Sequence, residues 1–174
     1  MSSRFTIAAI AAFAVASAAA AQPAAKPTDP QIAHIAYTAG VIDIAAAKQA
    51  LAKSKNAQVR SFAEEMVRDH QAVNDKALAL VKKLHVTPQD NPTSQALSAA
   101  AKQKLHDYAA LSGHAFDVAY ANNEVAYHKT VNGALESTLI PDSQNAELKS
   151  LLQTGLKLFQ MHEQHAEQVA AALK

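Results

Sequence analysis

Apolar residues recur along this chain in alternating steps of four and three, the spacing that keeps side chains on one face of an α-helix. The pattern is cleanest at Val59, Ala63, Met66, His70, Val73, Ala77, Leu80 and Leu84, and it predicts a helix over about Ala57–Leu84. An earlier stripe, Ile32, Ala36, Ala39, Asp43, Ala46 and Ala50, predicts a helix to about Ser54. Asp29-Pro30 suits its start, since Asp can cap and Pro is tolerated in the first turn. A third stripe holds Tyr120, Glu124, His128, Val131, Leu135 and Leu139, and Ile140-Pro141-Asp142 is expected to stop it. The fourth holds Leu148, Leu152, Gly155, Phe159, His162, Ala166, Val169 and Leu173, behind a cap at Asp142 or Ser143.

Connection lengths choose the topology. Short links join the first two helices and the last two, while about 30 residues separate the second from the third, the wiring of ferritin-like bundles. Within that crossover Leu97, Ala101, Leu105 and Tyr108 predict a short extra helix over about Ser94–Leu111. The expected fold is therefore all-α: a ferritin-like four-helix bundle over residues 29–174, with a helix in its long crossover.

The first residues read differently. Arg4, the apolar run Phe5–Val15 and Ala19-Ala20-Ala21 form the pattern of a signal peptide spanning residues 1–21, followed by a Pro/Ala-rich tether over residues 22–28. The run is too short for a good membrane span, so no stable transmembrane insertion is expected after cleavage. A periplasmic or otherwise exported protein is the expectation. Association with the outer membrane stays open, though not as a barrel. The chain has no cysteine, which removes disulfides, lipoprotein attachment and thiolate metal sites. Formal charge is only +1, and no basic patch stands out, so nucleic acid is not an expected partner.

Chemistry is concentrated where the stripes turn polar. His70, His128 and His162 each occupy a core position on a different helix, and Asp43 and Glu124 do likewise. His70 lies about fifteen residues past the first hairpin and Asp43 about twelve before it, a difference in depth of about 5 Å. His128 and His162 are less well matched, at about thirteen and twenty residues from the second hairpin, or about 10 Å. Buried imidazoles and carboxylates need partners, and clustering would supply them. A nitrogen and oxygen donor set of this kind suits one iron, manganese, zinc or copper ion.

Glu124 and His128 share a face at i,i+4 spacing, but no Glu-x-x-His pair occurs on two helices, so a di-iron carboxylate centre is disfavoured. A histidine-rich mononuclear site is one expectation. Another is a metal-free polar layer, hydrogen-bonded through Asp43, Glu124, Tyr120 or the histidines themselves, in a structural or interaction module, and a third is a small-molecule or haem pocket. His34, His85, His106, His114 and His165 read as surface residues, Asp69 as a surface or helix-pairing charge, and Met66 as core packing. The common hydrolase and nucleotide-binding motifs are absent, and no reaction is implied.

The run Phe62-Ala63-Glu64-Glu65-Met66-Val67-Arg68-Asp69-His70 with Asn74, the segment Leu111-Ser112-Gly113 with Phe116, Asp117 and Tyr120 leading to His128, and His162 with Ala166 together resemble the exported bacterial domain-of-unknown-function family 4142. The likeness covers about Gln31–Leu173. It implies a ferritin-like fold and export, and its members are often labelled outer-membrane proteins, but it implies no activity. Where relatives usually carry Glu on the first helix, this chain has Asp43.

Overall fold

A computed structural model describes residues 26–174; the predicted leader and the first four tether residues lie outside them. The described chain is an all-helical bundle: α1 (Asp29–Lys53), α2 (Ala57–Lys83), α3 (Pro92–Ala109), α4 (Gly113–Ala134), a π-helical turn (Leu135–Leu139), α5 (Ile140–Asp142) and α6 (Ala146–Ala172). Among the described residues no helix is long and apolar enough to cross a membrane.

Four long helices, α1, α2, α4 and α6, surround the core. Hairpins α1–α2 and α4–α6 pack side by side, with α1 against α4 and α2 against α6. The crossover returns the chain along α1. At its start Asn91 Nδ2 donates to the Gln31 carbonyl, and at its end Lys53 Nζ donates to the Ala109 carbonyl at 2.9 Å. Helix α3 therefore runs parallel to α1 from the Asp29 end of the bundle to the Asn56 end, and α4 starts where α3 stops. This arrangement makes every neighbouring pair of long helices antiparallel, as the connection lengths predict.

Helix ends follow local chemistry, with three departures from the sequence reading. Asp29 is the first helical residue of α1, and Thr28 stands at the cap. The Asp29 carboxylate instead accepts the backbone N–H groups of Gln144 and Asn145 at 2.8 and 2.7 Å, tying the α4–α6 connection to the start of α1. The last helix is capped by Asn145, whose Oδ1 accepts from Glu147 and Leu148, and not by Asp142 or Ser143. The helical path before it also persists through Pro141, by way of the wide turn Leu135–Leu139. Both shifts move the hairpin tip toward residues 143–145.

The end of α2 is a Schellman motif. Val86 N–H reaches the Val81 carbonyl at 2.9 Å, His85 N–H reaches Lys82 at 3.2 Å, and His85 itself takes φ 53°. That left-handed position normally falls to glycine, because a Cβ crowds the following carbonyl. His85 is exposed, so His85→Gly is expected to stabilise the protein by about 1 kcal/mol. An unchanged or lower urea midpoint would contradict it.

The core has two apolar halves. Toward the Asn56 end it is filled by Phe62, Met66, Tyr108, Phe116 and Tyr120. Toward the Asp29 end it is built from Ile32, Leu135, Leu139, Leu148, Leu152 and Phe159. Between them lie the polar core positions.

Candidate metal centre

Asp43 on α1, His70 on α2, Glu124 and His128 on α4, and His162 on α6 are all buried and meet at mid-bundle. The three imidazoles are mutual neighbours, with ring centroids 5.3–5.8 Å apart. His162 is thus not out of register with His128. The expected 10 Å offset disappears because the hairpin tip lies further along the chain: His128 is about fourteen residues before the end of α5 and His162 about sixteen into α6, a mismatch of about 3 Å.

One ligand atom from each of His70, His128 and His162 falls within 4.8 Å of the others, and the same holds for Asp43, Glu124 and His128. Asp43 Oδ2 lies 3.5 Å from His70 Nε2 and 3.7 Å from His128 Nε2. These separations are too long for good hydrogen bonds. They are close to the spacing of about 3.4 Å between neighbouring donors around a tetrahedral ion with bonds of about 2.1 Å.

Outer contacts fix which nitrogen is free in His128 and His162. His128 Nδ1 lies 3.0 Å from the Glu124 carbonyl on its own helix, so Nδ1–H donates there and Nε2 carries the lone pair. His162 Nε2 donates to Asp69 Oδ2 at 3.1 Å, leaving Nδ1 as the free nitrogen. Asp69 is held in turn by a two-pronged contact with Arg68, at 2.7 and 3.1 Å. Partial burial opposes its ionisation, but the bonds from Arg68 and His162 prevail and keep its carboxyl below the usual range. His70 is oriented by stacking on Phe159, with centroids 4.7 Å apart and planes 8° from parallel.

The atoms left over belong to two groups that share His128. His128 Nε2, His162 Nδ1, both nitrogens of His70, both oxygens of Asp43 and Glu124 Oε2 are buried without a hydrogen-bond partner in the protein. Tyr120, expected to help close a metal-free layer, also has an unpartnered hydroxyl.

Burial sets the protonation states. It drives His70 well below its ordinary value, His128 to about 4, and His162 downward, so all three rings are neutral near pH 7. Burial also raises the carboxyls. Asp43 is pushed up to about 7, and Glu124 goes well above its usual range, helped by repulsion from Asp43. Burial therefore favours a proton held within the Asp43–Glu124 pair. Neutral imidazoles are the metal-binding form, whereas the carboxyl protons would have to leave on metal binding.

The polar layer defines a class: a helical bundle whose core holds three imidazoles and two carboxylates, with no thiolate. The profile of the domain of unknown function DUF4142 matches residues 14–169, and the chain belongs to that family. Searches of curated proteins and of solved structures find no match.

Several residues read as surface groups have other roles. Asp69 braces His162, as described. His165 Nδ1 lies 2.6 Å from Glu65 Oε2, half-buried between α2 and α6, and His34 Nδ1 lies 2.9 Å from Ser94 Oγ, joining α1 to α3. Asp69 left one sequence signal: it sits beside His70, one position off the core stripe, and hence toward the neighbouring helix. His85, His106 and His114 are exposed, and Met66 is buried in the core as expected.

Proposed function

We propose that this chain binds one transition-metal ion through His70 Nε2, His128 Nε2 and His162 Nδ1, with Asp43 or Glu124 completing the set. The observation that carries the reading is the convergence of unpartnered, buried imidazole nitrogens, with the His128 and His162 tautomers fixed from outside. An ion held by the three ring nitrogens and one carboxylate oxygen would partner four of the seven unpartnered atoms, and leaving buried polar atoms unpaired is unfavourable. Imidazole and carboxylate donors suit zinc, iron, manganese or copper. Bound there, such an ion supplies positive charge and, for the redox-active metals, electron transfer. Taken with the leader-like N-terminus, the reading is an exported protein of metal handling or protection against redox stress.

The alternative is the metal-free layer. Its support is the proton that burial favours within the Asp43–Glu124 pair, which limits the charge the layer must bury. Metal analysis separates the two. Tag-free protein, purified and incubated in turn with iron, zinc, copper and manganese, should retain close to one equivalent of at least one of them. Retention far below one equivalent for all four overturns the metal reading and leaves the layer.

Asp69 provides a finer check. Asp69→Asn keeps the size of the side chain but loses the charge that holds His162 Nε2–H. Metal affinity is expected to fall by about 10–100-fold, the usual effect of losing an outer partner of a ligating histidine. Competition against a chromogenic chelator measures it, and an affinity equal to wild type would remove Asp69 from the site.

A further inference from the structure

The half of the core nearer the Asp29 end is not filled. A cavity of about 730 Å³ runs from His70 and His128 to Lys26, Gln31 and Asp142, bounded by all four long helices and the first turns of α3. That volume lies within the range of about 300–1,000 Å³ typical of small-molecule sites. In a packed helical core such a space is costly, since interiors normally leave few voids larger than a water.

Small side chains create it. Ala36, Ala39, Ala77, Ala134 and Gly155 line the space, whereas the opposite half of the bundle is filled by Phe and Tyr rings. Val73, Ala77 and Val131 lie on the predicted core stripes yet are only half-buried, because they face the cavity. The π-helical turn supplies Leu135, Thr138 and Leu139 to the wall, and irregular turns of this kind often border functional sites.

Charge is confined to one end. Of the lining residues, the charged ones at neutral pH are Lys26 and Asp142, paired at 2.8 Å, with the Lys26 side chain 83% exposed. From there inward the wall is mainly aliphatic until Phe159 and the neutral imidazoles. Between Leu148 and Phe159 the cavity follows α6 for roughly 16 Å. An elongated, mainly apolar space with polar groups at its mouth fits an alkyl chain better than a compact polar metabolite.

We infer that this cavity binds one unbranched alkyl chain, a free fatty acid or the chain of a lysolipid, with its methyl end toward Phe159 and His70 and its head at the Lys26–Asp142 mouth. The inference does not rest on the metal reading, although His70 and His128 close the inner end of the cavity. Metal-free protein in EDTA is the material for the test, so its outcome does not depend on whether an ion is bound.

Delipidated protein is titrated by calorimetry with palmitate and with palmitoyl-lysophosphatidylcholine, each below its micelle-forming concentration. One saturable site per chain is expected. Binding of palmitate alone marks a fatty-acid site, and binding of both marks an alkyl-chain site. The double variant Ala77→Leu/Ala134→Leu fills the cavity with good helix formers and should weaken binding at least roughly tenfold while helical circular dichroism is unchanged. As a second measurement on unaltered protein, a fatty acid with a photoactivatable group at its methyl end should label the peptides containing Phe159 or His70. No saturable binding of either lipid, or labelling confined to other peptides, overturns the inference.

Discussion

Each of His70→Ala, His128→Ala and His162→Ala is expected to take the protein from close to one bound metal equivalent to essentially none. A ligand lost outright should cost more affinity than the roughly 10–100-fold attached to an outer partner. The same result should appear in stability. Metal at about 100 times its dissociation constant stabilises a folded protein that binds it by about 2.7 kcal/mol, an increment the variants should lack.

Truncating a buried ring also leaves a hole, so loss of metal could follow from loss of fold. His128→Gln guards against this, keeping most of the volume and an amide able to meet the Glu124 carbonyl. Comparing urea midpoints with and without metal decides the matter. In the metal reading, wild type and variant respond differently to the ion. If instead each variant loses the same stability in EDTA as with metal present, the histidines serve a structural layer.

Asp43→Asn should have the opposite effect on the metal-free protein. The Asp43 carboxyl is raised by burial from 3.8 to about 7. The native state therefore holds its proton across a range where the unfolded chain has released it. The stability associated with this group is complete below about pH 4 and is lost as pH rises through 7. Asparagine does not titrate, and its N–H groups can donate to the free nitrogens of His70 or His128. Relative to wild type, the variant should gain about 2–4 kcal/mol between pH 4 and pH 8 in EDTA.

The histidines run the other way: their depressed values favour folding above pH 6.5, and that stability is lost as pH falls, toward about 4 for His128. They are present in both proteins, so to first order they cancel in the difference. Urea unfolding across this range measures the effect, and a pH-independent difference would show that Asp43 is not buried in this way. Together with its gain in stability, Asp43→Asn should lose metal affinity. A site that lowers apo stability while raising metal affinity is built for a ligand, and a purely structural layer would not show the exchange.

The exterior His165–Glu65 contact and the His34–Ser94 contact show how surface chemistry serves packing in this bundle. Each joins two helices across positions that a single stripe leaves ambiguous. Asp69 is the case with consequences for function. One residue off the core stripe on α2, it is carried toward α6, where His162 waits for an acceptor.

Periodicity alone was enough to place the four long helices, the crossover helix and the five polar core residues, because a helix repeats every 3.6 residues and burial imprints that period on composition. The family was legible in the motif around His70. The depth of His162 was not, because it depended on where the α4–α6 hairpin turned. That point was settled by the wide turn before Pro141 and by Asp29 gripping residues 144 and 145 from across the bundle. Nor could the sequence distinguish an alanine packed against a neighbour from one facing open space. Ala77 and Ala63 both lie on the α2 stripe, yet one lines a 730 Å³ cavity and the other is buried in the core. The helical period specifies which way a side chain points, and the packing of four helices against one another decides what it meets.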